Sequence, residues 1–114
     1  MVDCLFCKII NKEIPSQIVY EDDNLIVIKD IQPVAPTHLL AIPKQHVENV
    51  ADPKFTEAGL ANLFFDGIQK VAKELGLVEN GFRIVANCGS EAGQTVFHLH
   101  FHIISGRPLS WPPG

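Results

Sequence analysis

The chain has 114 residues, 46% of them hydrophobic and 19% charged, with 8 glycines and 8 prolines. That length makes one domain, since a typical domain holds about 100–150 residues, and that composition excludes disorder over most of the chain. Lysine and arginine number 9 against 13 aspartates and glutamates, and the net charge of −4 lacks the broad basic field with which a protein engages polymeric DNA or RNA.

In chain order, Met1-Val2-Asp3-Cys4-Leu5 puts an acid where a secretory leader carries lysine or arginine, and no apolar run approaches the roughly 18 residues of a membrane-spanning helix. A cytoplasmic protein with no membrane partner is expected. Residues 4–11 read as a short helical turn with Leu5, Ile9, Phe6 and Ile10 on its apolar side, ended by Pro15. Residues 17–20 and 25–29 are β-branched and aliphatic runs around the polar turn Glu21-Asp22-Asp23-Asn24, which makes a hairpin. Pro33 and Pro36 keep residues 30–36 out of a central strand, and 38–42 is a strand stopped by Pro43.

Leu60, Leu63, Phe64, Ile68, Val71 and Leu75 recur at threes and fours and predict one long amphipathic helix. Asp52 before Pro53, or Thr56 before Glu57, can cap it, and Gly76 suits the left-handed position that closes it. Residues 82–86 and 96–104 are strands joined by Asn87-Cys88-Gly89-Ser90-Glu91-Ala92-Gly93-Gln94-Thr95, and the tail 105–114 is extended. The expected architecture is α+β: a single domain with a five-stranded antiparallel sheet, one long helix and a short N-terminal helix. Trp111 in the tail has nothing local to bury it, so it packs either on its own domain or on a partner.

Histidine is the unusual residue. Five are present, and three fall between positions 98 and 102. On a strand, His98, His100 and His102 share one side while Phe97, Leu99, Phe101 and Ile103 take the other, core-facing side. Successive histidine Cβ atoms then lie roughly 6.6 Å apart, close enough to share one ligand. A metal would need converging neutral imidazoles. Phosphoryl transfer would need one neutral imidazole as nucleophile and its neighbours as hydrogen-bond donors. The preceding loop, with Gly89, Ser90, Ala92, Gly93 and Thr95, has the small residues and hydroxyls that cradle an anion, and it favours phosphate chemistry.

The stretch Gly93-Gln94-Thr95-Val96-Phe97-His98-Leu99-His100-Phe101-His102-Ile103-Ile104-Ser105-Gly106-Arg107 resembles the His-x-His-x-His signature of the histidine triad superfamily. Phe6-Cys7-Lys8-Ile9-Ile10, Glu13-Ile14-Pro15, Tyr20-Glu21-Asp22-Asp23, Asp30-Ile31-Gln32-Pro33, residues 36–44 and Trp111-Pro112-Pro113-Gly114 resemble its Hint branch, the purine nucleoside phosphoramidases. The resemblance covers nearly the whole chain. It implies one domain over residues 1–114 and a homodimer whose sheets join edge to edge, with the tail at the interface. It also implies hydrolysis of P–N bonds in adenosine 5′-phosphoramidates through a covalent nucleotidyl-histidine, with AMP as product and no catalytic cofactor.

Carried over residue by residue, the resemblance makes His100 the nucleophile, flanked by His102 and His38, which bind the α-phosphate and move protons. Thr95 stands where the family usually has serine; it keeps the hydroxyl and adds a methyl. Asn87, the Gly93 N–H, Thr95 and His102 would meet the charge that grows on phosphoryl oxygens. Asp30 would accept from the ribose hydroxyls, and Leu5, Phe6, Ile9, Ile28 and Ile31 would form the base slot.

Cys4-Leu5-Phe6-Cys7 is by itself compatible with a redox pair, a metal knuckle or coincidence, and three cysteines in a reducing compartment make no disulfide framework. Some bacterial members of the superfamily carry a structural zinc on such a pair plus two histidines. That resemblance implies a closed tetrahedral site of Cys4, Cys7, His46 and His98, stapling the N-terminal turn to the sheet edge without touching the chemistry. Two rivals remain at this stage: an AMP-binding regulatory module with incidental hydrolysis, and a dinucleoside polyphosphate hydrolase, against which the Trp-Pro-Pro-Gly tail speaks.

Overall fold

A computed structural model describes residues 4–114; the leader reading on Met1–Asp3 lies outside the described residues. Five strands form one antiparallel sheet in the order β1-β2-β3-β5-β4: β1 (Ile18–Glu21), β2 (Leu25–Lys29), β3 (Thr37–Pro43), β4 (Phe82–Val85) and β5 (Phe101–Ser105). The β1–β2 turn is closed by Asp22, whose Oδ1 accepts the Asn24 and Leu25 N–H groups at 2.7 and 3.0 Å. β3 is the central strand, and His38, Leu40 and Ile42 on it alternate with Leu39 and Ala41.

That alternation separates two cores. Leu25, Val27, Leu39, Ala41 and Ile103 face α2 (Leu60–Glu74), while Ile26, Ile28, Leu40 and Ile42 face α1 (Leu5–Ile10). Gly67 of α2 lies directly on Leu25, where any Cβ would collide, so the glycine sets how closely helix and sheet approach. No helix among the described residues is long and apolar enough to cross a membrane.

The expected single helix is broken. Residues Pro53–Gly59 form tight 3-10 turns that end in Glu57 (ψ 149°), Ala58 (φ 52°) and Gly59 (φ 74°), and α2 starts only at Leu60. The reason is Phe55. At about 100° per residue, positions 55 and 64 of a continuous helix would point to opposite sides. The break instead folds Phe55 back to within 5.7 Å of the Phe64 ring, and both are buried. Asp52 does cap these turns, accepting the Lys54 N–H at 3.0 Å; Thr56 caps nothing and donates to the Pro53 carbonyl. Leu63 and Leu75, expected on the buried stripe, are exposed. Gly76 (φ 69°) closes α2 as its position suggested and leads into a short turn, α3 (Leu77–Asn80), which carries no sequence signal of its own.

The last strand is shorter than its pattern. Residues 96–100 lie outside the ladder, and β5 begins at Phe101, opposite Ala41. β3 ends in Pro43, which has no N–H to continue the ladder. The Leu99 N–H turns instead to the Val47 carbonyl at 2.6 Å. Phe97, expected in the core, is exposed, whereas Leu99, Phe101 and Ile103 are buried. The tail therefore starts at Gly106, after the strand.

Candidate active site and metal centre

His38 on β3 and His102 on β5 stand on the α1 face of the sheet. The Val34 N–H donates to His38 Nδ1 at 3.1 Å, so the neutral ring carries its proton on Nε2. That Nε2 lies 2.9 Å from His102 Nδ1 and 3.3 Å from Asp30 Oδ2. His102 accepts on Nδ1 and keeps its own proton on Nε2. Burial first, and then the His100 and His38 rings, hold His102 below the ordinary histidine range, with Asp30 pulling the other way. The shift favours the neutral ring.

His100 has the opposite tautomer. Its Nδ1–H donates to the His98 carbonyl at 2.9 Å, which leaves Nε2 as the ring's lone pair. The ring stands edge-on to Phe6, at 5.0 Å and 77°, and lies 5.2 Å from the His102 ring. Both histidines line a cavity of about 330 Å³ together with Leu5, Phe6, Ile9, Ile28, Asp30, Ile31 and Thr95. Ile31, at 94% exposure, is only its rim. Ile14, Pro15, Ser16, Lys29, Leu40 and Val96 also line it. None of these is expected in the slot from the sequence; for Ile14, Leu40 and Val96 the reason is that an apolar residue beside a slot has the same pattern as one in the core.

Three expected site residues lie elsewhere. His38 sits behind His102 and borders a separate cavity of about 430 Å³ with Val19, Leu75 and Leu77. That larger space holds neither His100, His102 nor Thr95, so the smaller one is the chemically relevant cavity. Asn87 and Gly93 adjoin each other and do not line the slot. The Gly93 N–H, expected to be open for an anion, donates to the Ser90 carbonyl at 3.0 Å. The loop is fixed from inside by buried Gln94, whose Oε1 accepts the Gly89 N–H and whose Nε2 donates to the Glu48 and Val96 carbonyls.

Cys4, Cys7, His46 and His98 form a second cluster, with one ligand atom from each and all within 4.8 Å of one another. His98 is fully buried; its Nε2–H donates to the Pro43 carbonyl at 2.8 Å and turns the Nδ1 lone pair to Cys4 Sγ at 3.4 Å and Cys7 Sγ at 3.6 Å. His46 Nδ1 lies 3.3 Å from Cys7 Sγ. In a tetrahedral zinc site with Zn–S about 2.3 Å and Zn–N about 2.05 Å, sulfur and nitrogen are about 3.5 Å apart. The residues fit zinc. Burial holds His98 down to about 4, the neutral state a ligand needs, while burial and neighbouring Cys4 push the Cys7 thiol up to about 11. A cation would reverse that penalty on the thiolate. The cluster joins α1 to the end of the central strand β3, not to the sheet edge as expected.

Asp30, His38 and His102 also place ligand atoms within 4.8 Å. Here the chemistry differs. His38 Nδ1 already accepts the Val34 N–H, so its Nε2 carries a proton where a metal would need a lone pair. This trio is a hydrogen-bonded chain.

Fold and histidine geometry together define a class of protein: an antiparallel sheet that carries a cluster of histidines beside a cavity on one face. The HIT domain family matches residues 11–109, and the chain belongs to it. An uncharacterised HIT-like protein of Synechocystis is 47% identical over 98% of this chain and 97% of its own length. The 14 kDa zinc-binding protein of Zea mays is 42% identical, covering 96% and 87%. A HIT family hydrolase from Legionella pneumophila superposes with a TM-score of 0.92 at 45% identity, covering 98% and 100%.

Proposed function

We propose that the chain is a hydrolase that cleaves the P–N bond of purine nucleoside 5′-phosphoramidates, adenosine 5′-phosphoramidates among them, in the manner of the Hint branch. The observation that carries this reading is the His100 Nδ1–H bond to the His98 carbonyl, 2.9 Å, which turns Nε2 toward a nucleotide-sized slot as the nitrogen available for attack.

In the first step His100 Nε2 forms a bond to the α-phosphorus as the P–N bond breaks, and the amine leaves with a proton supplied by His102 Nε2–H. The His38 Nε2–H bond to His102 Nδ1, with Asp30 beside it, holds the His102 ring in the tautomer that carries its proton on Nε2 and stabilises the ring while that proton is on the amine. In the second step water attacks phosphorus and gives a proton to His102 Nε2, restoring that ring, while the P–Nε2 bond to His100 breaks and AMP is released. The Thr95 hydroxyl and His102 stabilise charge developing on the phosphoryl oxygens. Asp30 at the mouth of the slot accepts from the ribose hydroxyls, and Leu5, Phe6, Ile9 and Ile28 sandwich the base. Asn87 and Gly93 reach the phosphate only if their loop closes on it.

Cys4, Cys7, His46 and His98 hold a structural zinc in this reading; the likeness to a protein named as zinc-binding and the 3.3–3.6 Å sulfur–nitrogen distances support it. A cytoplasmic homodimer of one-domain chains, residues 1–114, is part of the same proposal. β4 is an outer strand with Ile84 exposed, and the tail runs beside it: Arg83 donates to the Ser110 carbonyl at 2.8 Å, leaving Trp111 81% exposed. Sedimentation at a monomer mass would remove the dimer.

The test of the central reading is His100→Ala on an adenosine phosphoramidate reporter. Turnover falls by about a thousandfold or more, as removal of a nucleophile does in comparable enzymes. Turnover near the wild-type value would refute the role of His100.

A further inference from the structure

Cys4 caps α1 and Cys7 lies within it, and the same helix also builds the slot: Leu5, Phe6 and Ile9 line it. α1 has 6 residues. Isolated helices shorter than about 12 residues are marginal, so this one persists only through what holds it in place. On one side that is apolar contact of Phe6 and Ile9 with the sheet. On the other it is the sulfur–histidine cluster, in which Cys4 Sγ also accepts the Cys7 N–H at 3.4 Å as the cap of the helix. Phe6 belongs to both sites. Its buried ring meets His98 edge-on at 6.0 Å and His100 at 5.0 Å.

We infer that the Cys4/Cys7/His46/His98 cluster positions the base slot and the His100 ring through Phe6, so that metal occupancy sets the affinity for the purine base. This rests on the nucleotide and zinc readings above, and it replaces the expectation that the metal leaves the chemistry untouched. The phosphate and ribose side has its own supports. His38 and His102 stand on β3 and β5 and are locked by the Val34 N–H and by each other, with no atom of α1 involved. Loosening α1 therefore weakens recognition of the base and spares recognition of the ribose phosphate.

The experiment compares AMP with ribose 5-phosphate by calorimetry on zinc-loaded protein, on chelator-stripped protein and on Phe6→Leu. Stripping weakens AMP by about tenfold, the scale of losing base stacking, and re-adding zinc restores it. Ribose 5-phosphate changes by less than about threefold. Amide exchange rises in residues 5–10 and stays unchanged in β3 and β5. Phe6→Leu retains its zinc and shows the same selective loss of AMP affinity, which keeps the test valid should the stripped protein unfold. Equal AMP affinity with and without zinc, equal loss for the two ligands, an unaffected Phe6→Leu protein, or failure to take up zinc each overturns the inference. A zinc-loaded wild type that binds ribose 5-phosphate and AMP equally weakly refutes the nucleotide reading itself.

Discussion

Two histidine clusters lie side by side on one face of the sheet, built from the same side chain, and they do opposite things with it. In the cluster around Cys4 and Cys7, His98 gives its proton to a backbone carbonyl behind it and turns its lone pair toward the two sulfurs, which is an arrangement for a cation. In the cluster around Asp30, a backbone N–H takes the lone pair of His38, whose Nε2–H is directed at His102 Nδ1 and so leaves the His102 proton on Nε2. His100 stands between them with its proton directed to a carbonyl and its lone pair free. Which nitrogen of each ring carries the proton is set by a backbone group one hydrogen bond away, and the proposed roles of ligand, proton donor and nucleophile follow from that.

The contrast breaks most sharply at positions 100 and 98. His100→Ala, with the thousandfold loss of turnover already expected, should keep its full complement of zinc and melt near the wild-type temperature, because its ring holds up neither core. His98→Ala should do the reverse: zinc stoichiometry well below one per chain, and a stability loss of about 3 kcal/mol, roughly 10 °C in Tm, from the cavity and the lost bond to the Pro43 carbonyl. Metal analysis and calorimetric melts on the two proteins check this. If His100→Ala lost zinc, or His98→Ala kept it, the division between the clusters would fail.

Gln94 is where the two regions touch, since it ties the Gly89 N–H of the loop before the histidines to the Glu48 carbonyl just beyond His46. Gln94→Ala strips the buried side-chain partner from three partly buried backbone groups and should cost about 2 kcal/mol. Both zinc affinity and turnover should fall moderately together in that protein. A loss confined to one of them would show that the loop belongs to one cluster alone.

Periodicity carried the broad features of this molecule: the hairpin, the central strand and the apolar stripe of α2 follow from alternation and from threes and fours. It missed where Phe55 has to go, because a break at Ala58–Gly59 is enforced by a ring nine positions away that no local window contains. It overran the last strand, because residues 96–100 alternate like a strand but find Pro43 opposite where the ladder would continue. The histidine motif placed His100 and His102 at the cavity, yet the tautomers that assign their work depend on carbonyls and N–H groups of Val34, Pro43 and His98, which every residue possesses and no motif records. The Gly93 N–H shows the converse, a donor that composition makes free and folding pairs with Ser90.

The smallest expected effect lies outside both clusters and calibrates them. Burial pushes the Asp22 carboxyl up, but the Asn24 and Leu25 N–H groups and the Tyr20 hydroxyl outweigh it and hold it below the usual carboxylate range. A depressed folded value means that Asp22 contributes stability above its unfolded pKa, near 3.9, and that the contribution drains away as pH falls through the folded value. Asp22→Asn keeps an oxygen for the two N–H groups and loses only the charge and the bond from Tyr20, 2.9 Å. Its cost should be about 1 kcal/mol at pH 7 and should vanish toward pH 2. Urea melts of both proteins across that range check the sign. Because Asp22, at the turn of the hairpin, belongs neither to the slot lining nor to the sulfur–histidine cluster, zinc content and turnover of Asp22→Asn should match the wild type, and a change in either would mean that the effects assigned to His98 and Gln94 are general destabilisation and not the loss of a particular site.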